Sequence, residues 1–294
     1  MNECDGLAER FEAQRGRLQA VAYRLLGSPS EAEDAVQEAW LRLGRTDVGT
    51  VDNLAGWLRT VVTRICLDML RARASRREDL AEQQVLDQIS EPAEGGQPED
   101  SALLADSVSR ALLVVLDTLE PAERVAFVLH DMFAVPFGQI APIVERTPVA
   151  TKKLASRARH KVRGTPAVSA DELARRRKVV SAFLKAARAG DLNAILAVLA
   201  PDVVRRSDPV VLPPGAPAEL RGARAVAEGT ALLAHRSQLA ELALVDGTAG
   251  LVVAPCGRLL IALTFTIEKD RIAAYQVIAD PARLRRLDLA VLSE

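Results

Sequence analysis

The sequence predicts a multidomain protein, with two all-α domains followed by an α+β domain. Three observations lead there. Apolar residues recur with the 3.6-residue period of helices from Leu7 to about Ser237, then with the two-residue period of strands. The stretch Ser90 to Asp100, SEPAEGGQPED, interrupts every periodicity with two Pro, two Gly and four carboxylates, and a shorter break follows at residues 166–170. Between the breaks, Phe137 to Arg163 reads as two short helices joined by a tight turn. Helices first and a meander afterwards describe an α+β fold. At 294 residues the chain is too long for one ordinary core.

The chain is 49% hydrophobic and 26% charged, with a net charge of −1, a globular composition. That small total hides segregation. Residues 1–58 carry ten acidic and six basic side chains, whereas Arg59 to Arg77 carries six Arg against one Asp. Cys4, Cys66 and Cys256 are odd in number and far apart, which argues against a disulfide framework or a metal site and for free thiols in a reduced compartment. The acidic N-terminus lacks an apolar signal core, and Arg258 interrupts the best apolar run. The expectation is a cytoplasmic protein with no membrane partner, metal or cofactor.

In chain order, Leu7 to Leu26 reads as a helix with Phe11, Leu18, Ala22 and Leu25 on one side. A helix from Glu31 to Leu43 follows, with Ser30 expected as its cap and Glu33 completing a capping box. Glu31, Glu33, Asp34, Gln37 and Glu38 make its outer side acidic. After a loop, a long helix from Leu54 to about Arg77 spaces Trp57, Val61, Ile65 and Leu67 among Arg59, Thr63, Arg64, Asp68, Arg71 and Arg73. Leu103 to Leu119 and a segment opening at Glu120-Pro121 continue the helical pattern.

The two helices within Phe137 to Arg163 break at Glu145-Arg146-Thr147-Pro148. Thr147 suits an N-cap, and Pro148 the first helical position, where its missing N–H costs nothing. Pro142 is awkward inside the first of them, forcing a late start or a kink. From Arg146 to Arg163 there are seven Lys or Arg and no carboxylate. Leu154, Ala158 and Val162 share one face, while Val149, Lys152, Lys153, Ser156, Arg157 and His160 fall on or near the other. This pattern is that of a helix-turn-helix offering its second helix to a DNA major groove.

Beyond Asp171, helices are expected over Glu172 to Ala189, from Asp191 through Leu199, and from near Gly222. Strands are expected over Leu239 to Val245, Leu251 to Ala254, Leu259 to Ile267 and Ile272 to Ala279, as a half-buried antiparallel meander. Asp202, Asp208, His235 and Glu241 are the titratable residues near any interior pocket, but no two have a spacing diagnostic of catalysis.

Three strings, taken jointly, resemble a bacterial sigma factor of the extracytoplasmic-function group. They are Ala32-Glu33-Asp34-Ala35-Val36-Gln37-Glu38-Ala39-Trp40-Leu41-Arg42-Leu43, then Asn53-Leu54-Ala55-Gly56-Trp57-Leu58, then Leu119-Glu120-Pro121-Ala122-Glu123-Arg124 through Leu154-Ala155-Ser156-Arg157-Ala158-Arg159. The remainder resembles a SnoaL-like, cone-shaped domain carried by one sigma subgroup. Asp280-Pro281-Ala282-Arg283-Leu284 is similar to that subgroup's C-terminal motif. Asp208 occupies the place of a second hallmark, but Pro209-Val210-Val211-Leu212 follows instead of glycines and a basic residue.

The resemblance implies a region 2-like domain over 1–80, a flexible acidic linker over 81–102, a region 4-like helix-turn-helix domain over 103–165, and a SnoaL-like regulatory domain with its connecting segment over 166–294. It implies a non-enzymatic subunit that binds core RNA polymerase, through its β and β′ subunits, and promoter DNA. Glu33, Asp34, Gln37, Glu38 and Leu41 would contact polymerase. Asn53, Trp57, Arg59, Thr63, Arg64, Arg71 and Arg73 would hold the −10 element. Arg146, Val149, Ala150, Lys152, Lys153, Ser156, Arg157 and Arg159 would read or hold the −35 element. Asp208, Asp280, Pro281, Arg283 and Leu284 would make regulatory contacts in place of a separate anti-sigma factor. Two rival readings are a one-component helix-turn-helix regulator with a ligand-sensing domain, and a SnoaL-type enzyme with a DNA-binding passenger.

Overall fold

The computed structural model describes residues 3–46, 51–79, 110–212 and 215–292. The expected linker at 81–102 and the start of the helix expected from Leu103 lie outside the described residues. A helical N-terminal region is followed by an α+β sheet domain. By backbone contacts the chain divides into two compact units. One contains the described residues of Met1–Ala81 and Leu116–His160, and the other those of Ser109–Val115 and Lys161–Glu294.

In the helical unit, α1 (Glu3–Leu26), α2 (Pro29–Leu43) and α3 (Leu54–Asp79) pack on one another. Phe11, Leu18, Val21, Ala22 and Leu25 of α1 are buried, as the 3.6-residue pattern requires. Helix α2 starts two residues earlier than expected. Its cap is Ser28, whose hydroxyl accepts from the Glu31 amide, and Pro29 takes the first helical position. The buried seam of α3 is Leu54, Leu58, Val62, Ile65, Cys66 and Leu70, which leaves Trp57 and Val61 at its edge.

Helix α4 (Arg110–Asp117) precedes α5 (Pro121–Phe127), which widens into a π turn over Val128–Met132. Next come α6 (Phe137–Ile140), a turn, and α7 (Pro148–Arg163). The difficulty with Pro142 disappears because α6 is a single turn that ends before it. Glu145 then adopts a left-handed φ of 56°, the reversal that lets α7 begin.

The second unit, which also holds the first part of α4 and the end of α7, continues with α8 (Ala170–Ala189), capped by the Ser169 hydroxyl and stopped by Gly190 at φ 64°. Helix α9 (Leu192–Val198), capped by Asp191, runs straight into β1 (Leu199–Ser207). Then follow β2 (Glu219–Arg221), α10 (Ala223–Ala231), α11 (Ala234–Ser237), β3 (Ala240–Val245), β4 (Thr248–Val253), β5 (Ile261–Glu268), β6 (Arg271–Ile278), α12 (Pro281–Leu284) and β7 (Leu289–Ala290). They form one seven-stranded sheet in the order β2-β1-β6-β5-β4-β3-β7.

Strands β3 to β6 are the expected antiparallel meander. Strand β1 was not expected, and it pairs parallel with β6. Strands β2 and β7 were too short to show in the pattern. The interior is built from Phe183 and Leu184 of α8, Ile195 of α9, Val203 of β1, Val226 of α10, Leu251, Phe265 and Tyr275. A second cluster joins Ala111, Val114 and Val115 of α4 to Val245, Val252 and Leu289. There the Glu241 carboxylate accepts from the Ala111 amide, and the Val291 amide donates to the Val162 carbonyl. Among the described residues no helix is long and apolar enough to cross a membrane.

Candidate nucleic-acid interface

The turn before α7 sets its direction. Thr147 caps the helix by accepting from the Ala150 amide at 3.2 Å, and the Thr151 hydroxyl donates back to the Thr147 carbonyl at 3.0 Å. Thr151, Ala155 and Ala158 turn inward. This seam lies one residue off the expected Leu154, Ala158 and Val162 line, and Leu154 and Val162 are half-buried at its margin. Small inward residues let the helix approach its support closely. The opposite face carries Arg146, Val149, Lys152, Lys153, Ser156, Arg157 and His160, all exposed, with Val149 at 69% of its full accessible area. Ala150 is half-buried beside them.

The cations on α7 fall into two classes. Lys152 and Lys153 meet no carboxylate among the described residues, and Arg146 donates only to the neighbouring Glu145 carbonyl. Farther along, Arg159 donates to Asp131 at 2.6 Å and Arg157 lies 4.0 Å from the Glu123 carboxylate. The first half of the helix therefore presents free charge, while the second half is partly tied to the helices beneath it.

The basic face of α3 is more engaged. Asn53 caps it, its Oδ1 accepting from the Gly56 amide at 3.0 Å, which leaves the amide nitrogen and the second lone pair of that oxygen for another partner. Arg64 is exposed, Arg71 lies 3.7 Å from Asp68, and Trp57 is half-buried. The Arg59 guanidinium donates to the Gln139 side chain of α6 at 2.8 Å. Burial, and then the neighbouring Arg17, lower its pKa. Arg73 donates to the Leu26 carbonyl at 2.9 Å and pairs with Glu31, tying α3 to the start of α2. Thr63 corrects the sequence reading. It is fully buried and its hydroxyl donates to the Arg59 carbonyl, so its side chain has no surface to offer to DNA. A polar residue between arginines in sequence had hidden its inward register.

On α2 the acidic side is graded. Glu33 accepts from Arg15 at 2.5 Å and also from Gln19 and Gln37. Burial would raise its pKa, but these donors outweigh it and hold the carboxyl below the usual range. Glu38 pairs with Arg42 one turn on. Asp34, Gln37 and Leu41 are exposed, Leu41 at 55%. Trp40 lies against Phe11 with ring centroids 4.8 Å apart, over a shallow groove lined by Ala8, Phe11, Arg15, Val36 and Gln37.

The family Sigma-70 region 2 matches residues 10–76, which span α1 to α3. The ECF RNA polymerase sigma factor SigJ of Mycobacterium tuberculosis (strain ATCC 25618 / H37Rv) is 39% identical over 246 residues, covering 82% of this chain and 78% of its own. The chain belongs to the extracytoplasmic-function sigma factors. A second relative in this family, the probable ECF RNA polymerase sigma factor SigI of Mycobacterium tuberculosis (strain CDC 1551 / Oshkosh), is 34% identical over 291 residues and 97% of each chain. The crystal structure of Mycobacterium tuberculosis SigJ aligns over 94% of this chain and 98% of its own, at 32% identity and a TM-score of 0.46. As a sigma factor of this group the chain serves transcription initiation, with core RNA polymerase and promoter DNA as its partners.

The residues named from the C-terminal motif come together inside the sheet unit. Asp208 accepts from the Ala279 amide at 2.9 Å and the Asp280 amide at 3.0 Å, and pairs with Arg283. Arg283 also donates to Gln276 at 3.0 Å, Asp280 caps α12 under Pro281, and Leu284 is buried. Burial pushes the Asp208 pKa up, but the two amides and the guanidinium outweigh it, so the carboxyl sits below the ordinary aspartate value. These residues form a clasp that ties the chain after β1 to the chain after β6. Of the titratable residues near a possible pocket, Asp202 and His235 are exposed and Glu241 serves the Ala111 amide.

Proposed function

We propose that this chain recruits core RNA polymerase through the outer side of α2 and presents two separate basic helices to a promoter. Asp34, Gln37, Glu38 and Leu41 meet the polymerase β′ clamp, with Glu33 contributing once its internal donors yield. Asn53, Trp57, Arg59, Arg64, Arg71 and Arg73 hold the −10 strand as it unstacks. Helix α6, the turn and α7 act as a helix-turn-helix for the −35 element. Arg146, Val149, Ala150, Lys152, Lys153 and Ser156 face base edges, while Arg157 and Arg159 hold phosphates.

The observation that carries this reading is the first half of α7. Among the described residues its outward cations have no carboxylate partner, while its inward face is built of small residues. The organisation follows, with a region 2-like domain over 1–80, a linker over 81–102, a region 4-like domain over 103–165 and a SnoaL-like cone over 166–294. The cone regulates the sigma part in cis, with the Asp208, Asp280, Pro281, Arg283 and Leu284 clasp holding its active shape, so the protein works in the cytoplasm without a separate anti-sigma factor.

Two experiments test it. Immobilised full-length protein should retain core polymerase, and Leu41→Asp should lose most of that retention while keeping a native circular dichroism spectrum. Unchanged retention would remove α2 from the interface. Arg283→Gln should change promoter output at constant protein level, and equal output would end the case for cis regulation through the clasp.

A further inference from the structure

The sheet unit buries an arginine without an anion. Arg205 lies on β1, where Val203, Arg205 and Ser207 alternate inward, and it keeps only 8% of its accessible area. It stands beside Tyr275 of β6 across the parallel pair, and that tyrosine belongs to the interior. Among the described residues no carboxylate lies within ion-pairing distance of Arg205, and its Nε–H has no acceptor. The neighbouring carboxylates look elsewhere. Glu219 pairs with Arg206 and Arg221, Glu228 with Arg224, and Asp208 with Arg283.

What Arg205 does touch forms a chain with a direction. Its guanidinium adjoins the buried Tyr275 hydroxyl. That hydroxyl lies 2.9 Å from the Thr230 hydroxyl, which donates to the Val226 carbonyl at 2.8 Å. Thr230 spends its proton on the carbonyl, so Tyr275 donates to Thr230 and turns its own lone pair toward Arg205. Protons thus run outward from the cation to a neutral carbonyl, and no negative charge closes the chain. A glycine leaves room for this. A Cβ at Gly229 of α10 would stand 3.0 Å from Arg205 Nη1. The wall on the Tyr275 side is aromatic, with the Phe183, Phe265 and Tyr275 rings 5.5 to 5.7 Å apart.

Arginine cannot shed its proton at accessible pH, so a buried guanidinium remains charged and its desolvation needs an opposing charge. We propose that the sheet unit binds a small monocarboxylate with an apolar or aromatic body, its carboxylate on the Arg205 guanidinium, its body against Phe183 and Phe265. A carboxylate matches the planar fork of arginine, and the aromatic wall disfavours a fully hydrated ion such as phosphate. The site is independent of the promoter-binding reading and of the clasp, and binding is measured without polymerase or DNA.

The test titrates full-length protein with benzoate, acetate and inorganic phosphate. It follows the Nε–H resonance that Arg205→Lys removes from the spectrum, together with the thermal midpoint. Benzoate should shift that resonance and raise the midpoint by roughly 5 °C near saturation, with acetate weaker and phosphate inert. Arg205→Met should fold at least as stably as the parent without ligand, since it removes an unpaired buried charge, and should lose the benzoate response. If Arg205→Met fails to fold, Arg205→Lys serves instead, keeping a buried cation without the planar fork and weakening benzoate several-fold. The proposal is overturned by a resonance that no anion moves at millimolar concentration, by a stronger response to phosphate than to benzoate, or by a benzoate response that survives in Arg205→Met.

Discussion

Among the described residues each unit of the molecule buries one arginine, and the two are handled in opposite ways. Arg124, at the core of the helical unit and 2% exposed, donates to Asp117 at 3.3 Å and to the Arg24 carbonyl at 3.5 Å. Arg205, in the sheet unit, has a phenol beside it and no carboxylate among the described residues. One guanidinium is consumed by the fold, and the other is left with binding capacity. The same contrast holds on the surface, where Arg157 and Arg159 are tied to carboxylates while Lys152 and Lys153 are not. The difference teaches where to look for function. It lies at cations that the protein itself does not neutralise.

The largest effect should come from breaking the consumed charge. Asp117→Asn strands Arg124 in the helical core and should cost about 3 kcal/mol in chemical denaturation. A loss under ~0.5 kcal/mol would place the pair among weak surface contacts and dissolve the contrast with Arg205. Reversing the uncommitted surface charge comes next. Lys152→Glu with Lys153→Glu should weaken binding of a promoter duplex about 100-fold by fluorescence anisotropy, with the fold intact.

The clasp in the sheet unit should give a smaller, pH-dependent effect. The Asp208 pKa is lowered in the folded protein, so its contribution is complete above the unfolded aspartate value near pH ~4 and disappears as pH falls through the lower folded value. Asp208→Asn should therefore cost about 1–2 kcal/mol at neutral pH, a difference that shrinks in acid. A difference that grew as pH fell would reverse the assignment. The smallest effect is expected at a tied surface arginine. Arg157→Gln should flatten the salt dependence of promoter binding by about 0.9 in log–log slope and act evenly across sequences.

Helix α7 was legible because exposed charge does not disturb an amphipathic pattern. Thr147, Pro148 and the run of Lys and Arg placed α7 to the residue. The cap of α2 moved from Ser30 to Ser28 because Pro29 fits only the first turn, a local rule outweighed in the sequence by the more conspicuous Ser30 and Glu33. Strand β1 was hidden for the reason that makes it interesting. Pro201, Asp202, Arg205 and Arg206 make it read as polar loop, yet Arg205 faces the core. Asp208 and Arg283 are 75 residues apart in sequence, and no periodicity joins them. Arg283 was named through the similarity of the C-terminal motif, and Asp208 as a titratable residue and through the second hallmark, with nothing to join the two. Thr63 was misplaced because a hydroxyl that satisfies itself on its own helix reads in sequence like one offered to a ligand.

The most direct measurement is runoff transcription with purified core polymerase, the full-length chain and a promoter selected by that holoenzyme. Transcripts should start at one defined position with the chain present, and should fall to the level of core polymerase alone with the Lys152→Glu, Lys153→Glu variant. Defined initiation that persists undiminished with that variant would contradict the assignment of α7 to promoter recognition.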